Sequence, residues 1–208
     1  MPNIETANIG HGGPPAPRVR VNPMAPAKLR ILETANRLFY ADGIRSVGID
    51  RLIKESSVTK ATFYKHYGSK DRLVLAYIAL RDTAARSAVT AVIDSAPSPR
   101  LALEALLALT VADVLSPSFR GSAFLNAATE YVDAAHEVRQ MVSGNRAWYA
   151  QNLSDLLAQA GHPRWAAGAE ELILAQDGLL AGGYTGERAS ATAAFVRVTE
   201  SVLEQAKS

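Results

Sequence analysis

The sequence predicts an all-α chain of about nine helices, and three observations carry that expectation. No segment alternates apolar and polar residues between hairpin turns, as a sheet would require. From Lys28 onward, apolar residues recur at the spacing of a helix face. The periodic segments are separated by Pro, Gly and Ser clusters that stop helices: SAPSP at 95–99, SPSFRG at 116–121, AGHPR at 160–164 and GGYTGE at 182–187.

The first 26 residues are rich in proline and glycine and lack apolar periodicity, which predicts an arm that cannot bury enough surface to order itself. Its Arg18 and Arg20 suit a minor groove, or make no more than a basic tail. Ile31, Leu32, Ala35, Leu38 and Phe39 then form one face of a first helix, stopped at Asp42-Gly43. Residues 49–56 read as a short second helix, Ser57-Val58 as a turn, and 59–67 as a third helix. A long fourth helix opens at Ser69, a good N-cap. Beyond Ala96, helical spacing continues through Leu103, Leu106 and Leu109 and again through Leu153, Leu156 and Leu157.

With 208 residues, 48% of them hydrophobic and 20% charged, the chain can bury a sizeable core. No apolar run reaches the roughly 18 residues of a membrane helix, and the N-terminus lacks a signal-peptide apolar region, so the expected compartment is the cytoplasm. Cysteine is absent, and His11, His66, His136 and His162 have no metal-ligand spacing, so neither a metal nor another cofactor is expected. The net charge of +2 is unevenly spread. Residues 1–80 hold 12 Lys/Arg against 6 Asp/Glu, a net +6, whereas residues 81–208 hold 10 against 14, a net −4. The N-terminal part is the one suited to a polyanion.

Two short helices joined by a tight turn make a helix-turn-helix, whose second helix enters the major groove of DNA. Ile49, Leu52, Ile53, Val58 and Phe63 supply the apolar support. Thr59, Lys60, Ala61, Thr62, Lys65 and His66 then stand on or near the outer side, where small residues allow close approach and a threonine can bond a base edge. Tyr64 and Tyr67 carry phenols suited to phosphate oxygens, and Lys70 adds charge at the start of the fourth helix.

These residues resemble the DNA-binding domain of the TetR (tetracycline-repressor) family over about residues 29–78. The matching features are Ala35, Leu38 and Phe39, then Gly43, the run from Val58 to Tyr67, and Ser69, Lys70 and Leu73. The pattern departs at Gly48, where the family has a hydroxyl donor, at Ile53, and at Ser56-Ser57-Val58 in place of Ala-Gly-Val. A non-glycine such as Ser57 in a turn that needs positive φ costs about 1 kcal/mol. The resemblance implies a DNA-binding domain over 27–75 and a ligand-binding and dimerisation domain over 76–208. It also implies a homodimer on a palindromic operator in double-stranded DNA, acting as a repressor and released by a small-molecule effector. The last two helices, about 166–183 and 190–206, would pair across the dimer, with Leu179, Phe195, Val198, Val202 and Leu203 on that interface and Gly178, Ala181 and Gly182 allowing close approach.

In the second domain Phe124, Asn126, Glu130, Trp148, Tyr149 and Gln176 mix polar and aromatic groups at helical spacing. Buried polar groups need partners, which a small, largely apolar ligand or interhelical hydrogen bonds would supply. A ligand- or partner-binding protein without DNA-linked regulation is the rival reading, against which the lysines and Thr62 stand. Catalysis finds no support: there is no nucleophile elbow, P-loop or zinc-protease motif.

Overall fold

The computed structural model describes residues 26–206, so the arm and its two arginines lie outside the described residues but for Pro26. Among those described there are nine helices and no strand. Three short helices, α1 (Ala27–Asp42), α2 (Ile49–Ser56) and α3 (Lys60–Tyr67), lead into the 26-residue α4 (Lys70–Ser95). They are followed by α5 (Pro99–Leu115), α6 (Ala123–Glu130), α7 (Glu137–Gln159), α8 (Trp165–Thr185) and α9 (Arg188–Leu203). No helix among the described residues is long and apolar enough to cross a membrane.

Local chemistry sets the helix ends. Thr59 lies just outside α3 and caps it, its Oγ1 accepting from Thr62 N at 3.1 Å; Ser69 caps α4 through Arg72 N and Ser98 caps α5 through Leu101 N. The break between α6 and α7 has no glycine or proline to announce it. Side chains make it instead: Asp133 accepts from Ala135 N, His136 Nδ1 from Val138 N, and Arg139 donates to the Tyr131 carbonyl. Conversely, Gly182 and Gly183, expected in a break, lie inside α8. They serve packing: a Cβ on Gly183 would stand 2.5 Å from Val114 of α5, and one on Gly182 would touch Ala191 of α9.

Two buried clusters organise the chain. The first joins Ile31, Leu38, Leu52, Phe63 and Leu73 and runs on along α4 to Phe124 of α6 and Val138 of α7. The second unites α5, α7, α8 and α9 through Leu106, Tyr149, Leu172 and Phe195. The expected boundary at 75/76 therefore falls within a continuous helix and a continuous core.

The core also corrects the expected dimer residues. Leu179, Phe195, Val202 and Leu203 are buried within the protomer, because α8 and α9 pack chiefly on each other and on α7 and α5. The exposed small and apolar residues of the pair include Leu174, 73% exposed, with Gly178 and Ala181 on α8 and Ala194 and Val198 on α9.

Candidate nucleic-acid interface and effector cavity

α1 holds the helix-turn-helix rigidly. Arg37 and Arg51 both bind the Glu55 carboxylate, at 2.6 and 2.8 Å, and Arg51 reaches back to Asp42. The Arg30 guanidinium donates to the carbonyls of Ser56 and Ser57, where the end of α2 carries partial negative charge. Ser57 adopts the left-handed conformation (φ 53°, ψ 50°), so the tight turn does demand positive φ and is met without glycine. Gly48, the N-cap of α2, has ordinary extended geometry and offers no side-chain cap, and a Cβ there would meet nothing. The first N–H groups of α2 therefore have no side-chain cap.

On α3, Phe63 is fully buried and packs edge-on to Tyr64. Around that anchor Lys60, Ala61, Tyr64, Lys65 and His66 are exposed, and Thr62 is half-buried with its hydroxyl 2.8 Å from that of Thr59. Tyr67 departs from expectation. Its ring is buried, its phenol donates to the Lys28 carbonyl at 2.9 Å, and burial pushes that phenol up to about 12. The hydroxyl locks α3 onto the start of α1 and is not turned toward a phosphate. Lys70 is half-buried in a crevice shared with Arg45, Asp71 and Glu130, where desolvation pulls its ammonium pKa down against the pull of the two carboxylates.

The six expected ligand residues are not brought together. Phe124, Tyr149 and Gln176 line one cavity of about 40 Å³ between α6, α7 and α8, with Ser122 and Asn145. Tyr149 is buried facing Gln176 and Thr110, and burial raises its pKa. Gln176 is 3% exposed, and although the Tyr149 hydroxyl stands beside its carboxamide, neither amide atom makes a hydrogen bond of normal length. A bidentate ion pair between Arg146 and Asp177, at 2.9 and 2.5 Å, stands at the rim.

The other three lie elsewhere. Trp148 is half-buried at the edge of the second core, under the Arg86 guanidinium of α4 at 4.5 Å. Asn126 donates to the Arg120 carbonyl, bracing the loop before α6. Glu130 spans to the helix-turn-helix: its carboxylate accepts from the backbone N–H of Ile44 at 2.8 Å and of Arg45 at 2.5 Å. Beside it, the Tyr40 hydroxyl donates to Gly121 O and accepts from Arg120 N, and the Arg120 guanidinium donates to Ala41 O at 2.8 Å. Helical spacing placed Asn126 and Glu130 on one face correctly, but that face meets the loop after α1 rather than the cavity. Asn145 carried no signal as a lining residue, since its role depends on which face of α7 meets α4: its Nδ2 donates to Asp82 of α4 at 2.8 Å.

Residues 31–77 match the family described as bacterial regulatory proteins, tetR family. A TetR-family transcriptional regulator from Streptomyces coelicolor is 40% identical over 88% of this chain and 96% of its own, with a TM-score of 0.84. The chain belongs to the TetR family. The TetR fold extends to more distant relatives, among them a TetR regulator from Chloroflexus aurantiacus, at 19% identity over 86% of this chain and 96% of its own, TM-score 0.76. A third is the TetR family regulator CifR, solved with a 26-bp double-strand operator, at 22% identity over 87% of this chain and 99% of its own, TM-score 0.73. No curated protein sequence matches the chain.

Proposed function

We propose that this TetR-family protein is a ligand-responsive repressor that binds a palindromic operator as a homodimer through α3. One observation carries the reading: Lys60, Ala61, Tyr64, Lys65 and His66 project from a helix fixed by buried Phe63 and Tyr67. That arrangement offers small and polar groups for base edges with cations alongside for phosphates, the division of labour that a major-groove helix needs. A gel shift with the protein's own upstream DNA tests it. Binding no tighter than to random duplex at the same salt would refute it.

The dimer forms through the exposed stripe of Leu174, Gly178 and Ala181 on α8 and Ala194 and Val198 on α9. Exposed small and apolar residues at helical spacing on two helices packed together are suited to cover by a partner surface.

The effector enters the cavity lined by Phe124, Tyr149 and Gln176, and two routes lead from there to α3. Asn145 lines the cavity and holds Asp82 of α4, the helix that follows α3 after the Gly68-Ser69 turn. α6 has Phe124 at one end in the cavity and Glu130 at the other on the N–H groups of Ile44 and Arg45. A ligand shifts the operator-binding population only by its differential affinity, typically about 1–3 kcal/mol of coupling. Its arrival must therefore move Asn145 or α6.

A further inference from the structure

The chemistry of the cavity narrows what it can hold. Phe124, Leu125, Val142, Ile173 and Leu180 give it apolar walls. The two charged residues that line it, Arg146 and Asp177, are paired with each other, and Asp82, beyond Asn145, is paired with Arg86 at 2.8 Å. A charged ligand would enter a largely apolar space in which no lining residue offers a free counter-ion, which is a heavily penalised transfer. Gln176 is the exception to this balance: its carboxamide is buried with the Tyr149 hydroxyl beside it, and neither of its polar atoms makes a hydrogen bond of normal length. An unsatisfied buried group costs free energy that a complementary ligand recovers on binding.

Resting on the effector reading above, we propose that the cavity takes an uncharged ligand with an apolar body and one amide-like group, an acceptor and a donor side by side, that pairs with Gln176. A primary amide or a lactam has this geometry: its carbonyl accepts from Nε2 while its N–H donates to Oε1. An ester or a ketone satisfies only half of the carboxamide, and a hydrocarbon none. The cavity of about 40 Å³ has room for roughly one to three waters, so such a ligand must part α7 from α8. The Arg146–Asp177 pair bridges those two helices at the rim and is the contact that yields first.

The test compares three probes of one shape by calorimetry on the intact protein: benzamide, toluene and benzoate. Benzamide is expected to bind at least tenfold tighter than either of the others, the ratio that two satisfied hydrogen bonds provide. In Gln176→Leu, which removes both polar atoms at similar volume, benzamide and toluene should bind within about twofold of each other, with toluene retained as proof that the cavity is still formed. In Asp177→Asn, benzamide association should be faster. Overturning results are a benzamide preference that survives in Gln176→Leu, a preference for benzoate, or no binding of any probe at its solubility limit, which would mean a cavity for water only. Benzamide binding with unchanged operator affinity would uphold this ligand chemistry while removing the effector reading.

Discussion

Glu130→Gln isolates the contact between α6 and the helix-turn-helix. The native carboxylate accepts two backbone N–H groups, Ile44 at 2.8 Å and Arg45 at 2.5 Å, one half-buried and one exposed. A glutamine in the same rotamer can accept only one of them and turns its own NH₂ toward the other. Hydrogen bonds to a charged group contribute about 1.5–3 kcal/mol each, less where water can replace the acceptor, as it can at Arg45. The expected net loss is about 1–2 kcal/mol. For a chain of this size that is a fall in Tm of roughly 2–8 °C, read by calorimetry. Amide hydrogen exchange gives the local readout, with Ile44 and Arg45 accelerating more than the buried core of α1. If Tm stays within a degree and neither amide speeds up, Glu130 does not hold the head, and the α6 route fails with it.

Lys60→Ala and Lys65→Ala should each lower the log-log salt dependence of operator binding by roughly one unit for every phosphate that a half-site no longer neutralises, whereas Tyr67→Phe should leave that slope unchanged and cost about 1 kcal/mol of stability, both measured by anisotropy and chemical unfolding. Ser57→Gly should raise stability by about 0.5–1 kcal/mol, since it relieves a left-handed residue, with no change in operator sequence preference. Leu174→Glu should give folded monomers in sedimentation that bind operator far more weakly. Gly183→Ala should instead lower stability by about 1–3 kcal/mol in chemical unfolding, because its Cβ would drive into Val114.

The helix-turn-helix was legible because its determinants are local. Thr59 and Ser69 are caps, Gly43 and Gly68 take positive φ at helix ends, and Phe63 is the inward position of a helix two turns long. Tyr67 was misread for the opposite reason: its partner, the Lys28 carbonyl, lies 39 residues away, and nothing in the run from Val58 to Tyr67 distinguishes a phenol that faces DNA from one that faces α1. The second domain was legible as helices but not as surfaces. α8 is apolar almost all round, so Leu174 and Leu179 look alike in sequence, and only the packing of α5, α7 and α9 around α8 decides that Leu179 is interior and Leu174 exposed. The α6–α7 break escaped notice because Asp133 and His136 make it by side-chain hydrogen bonds without a glycine or proline.

The two routes from the cavity differ in what they can transmit, and that difference bears on how the protein switches. Asn145 to Asp82 is a single hydrogen bond between two helices, and Asp82 also holds Arg86 on its own helix, so losing Asn145 leaves the carboxylate paired and α4 free to tilt at modest cost. α6 is stiffer. Its eight residues run from Phe124 in the cavity wall to Glu130 on the loop after α1, and the Tyr40, Arg120 and Gly121 hydrogen bonds brace the segment just before it. A ligand that merely occupied the apolar end would push on a braced element, whereas one that paired with Gln176 would draw α8 relative to α7 and strain Asn145 directly. The switch should therefore depend more on the polar group of the effector than on its bulk, with α4 as the mover and α6 as the fixed strut against which it moves. Asn145→Ala separates these roles, since it should weaken operator binding without ligand and reduce the further loss that ligand causes, while Glu130→Gln should lower stability and leave the ligand-induced ratio nearly intact.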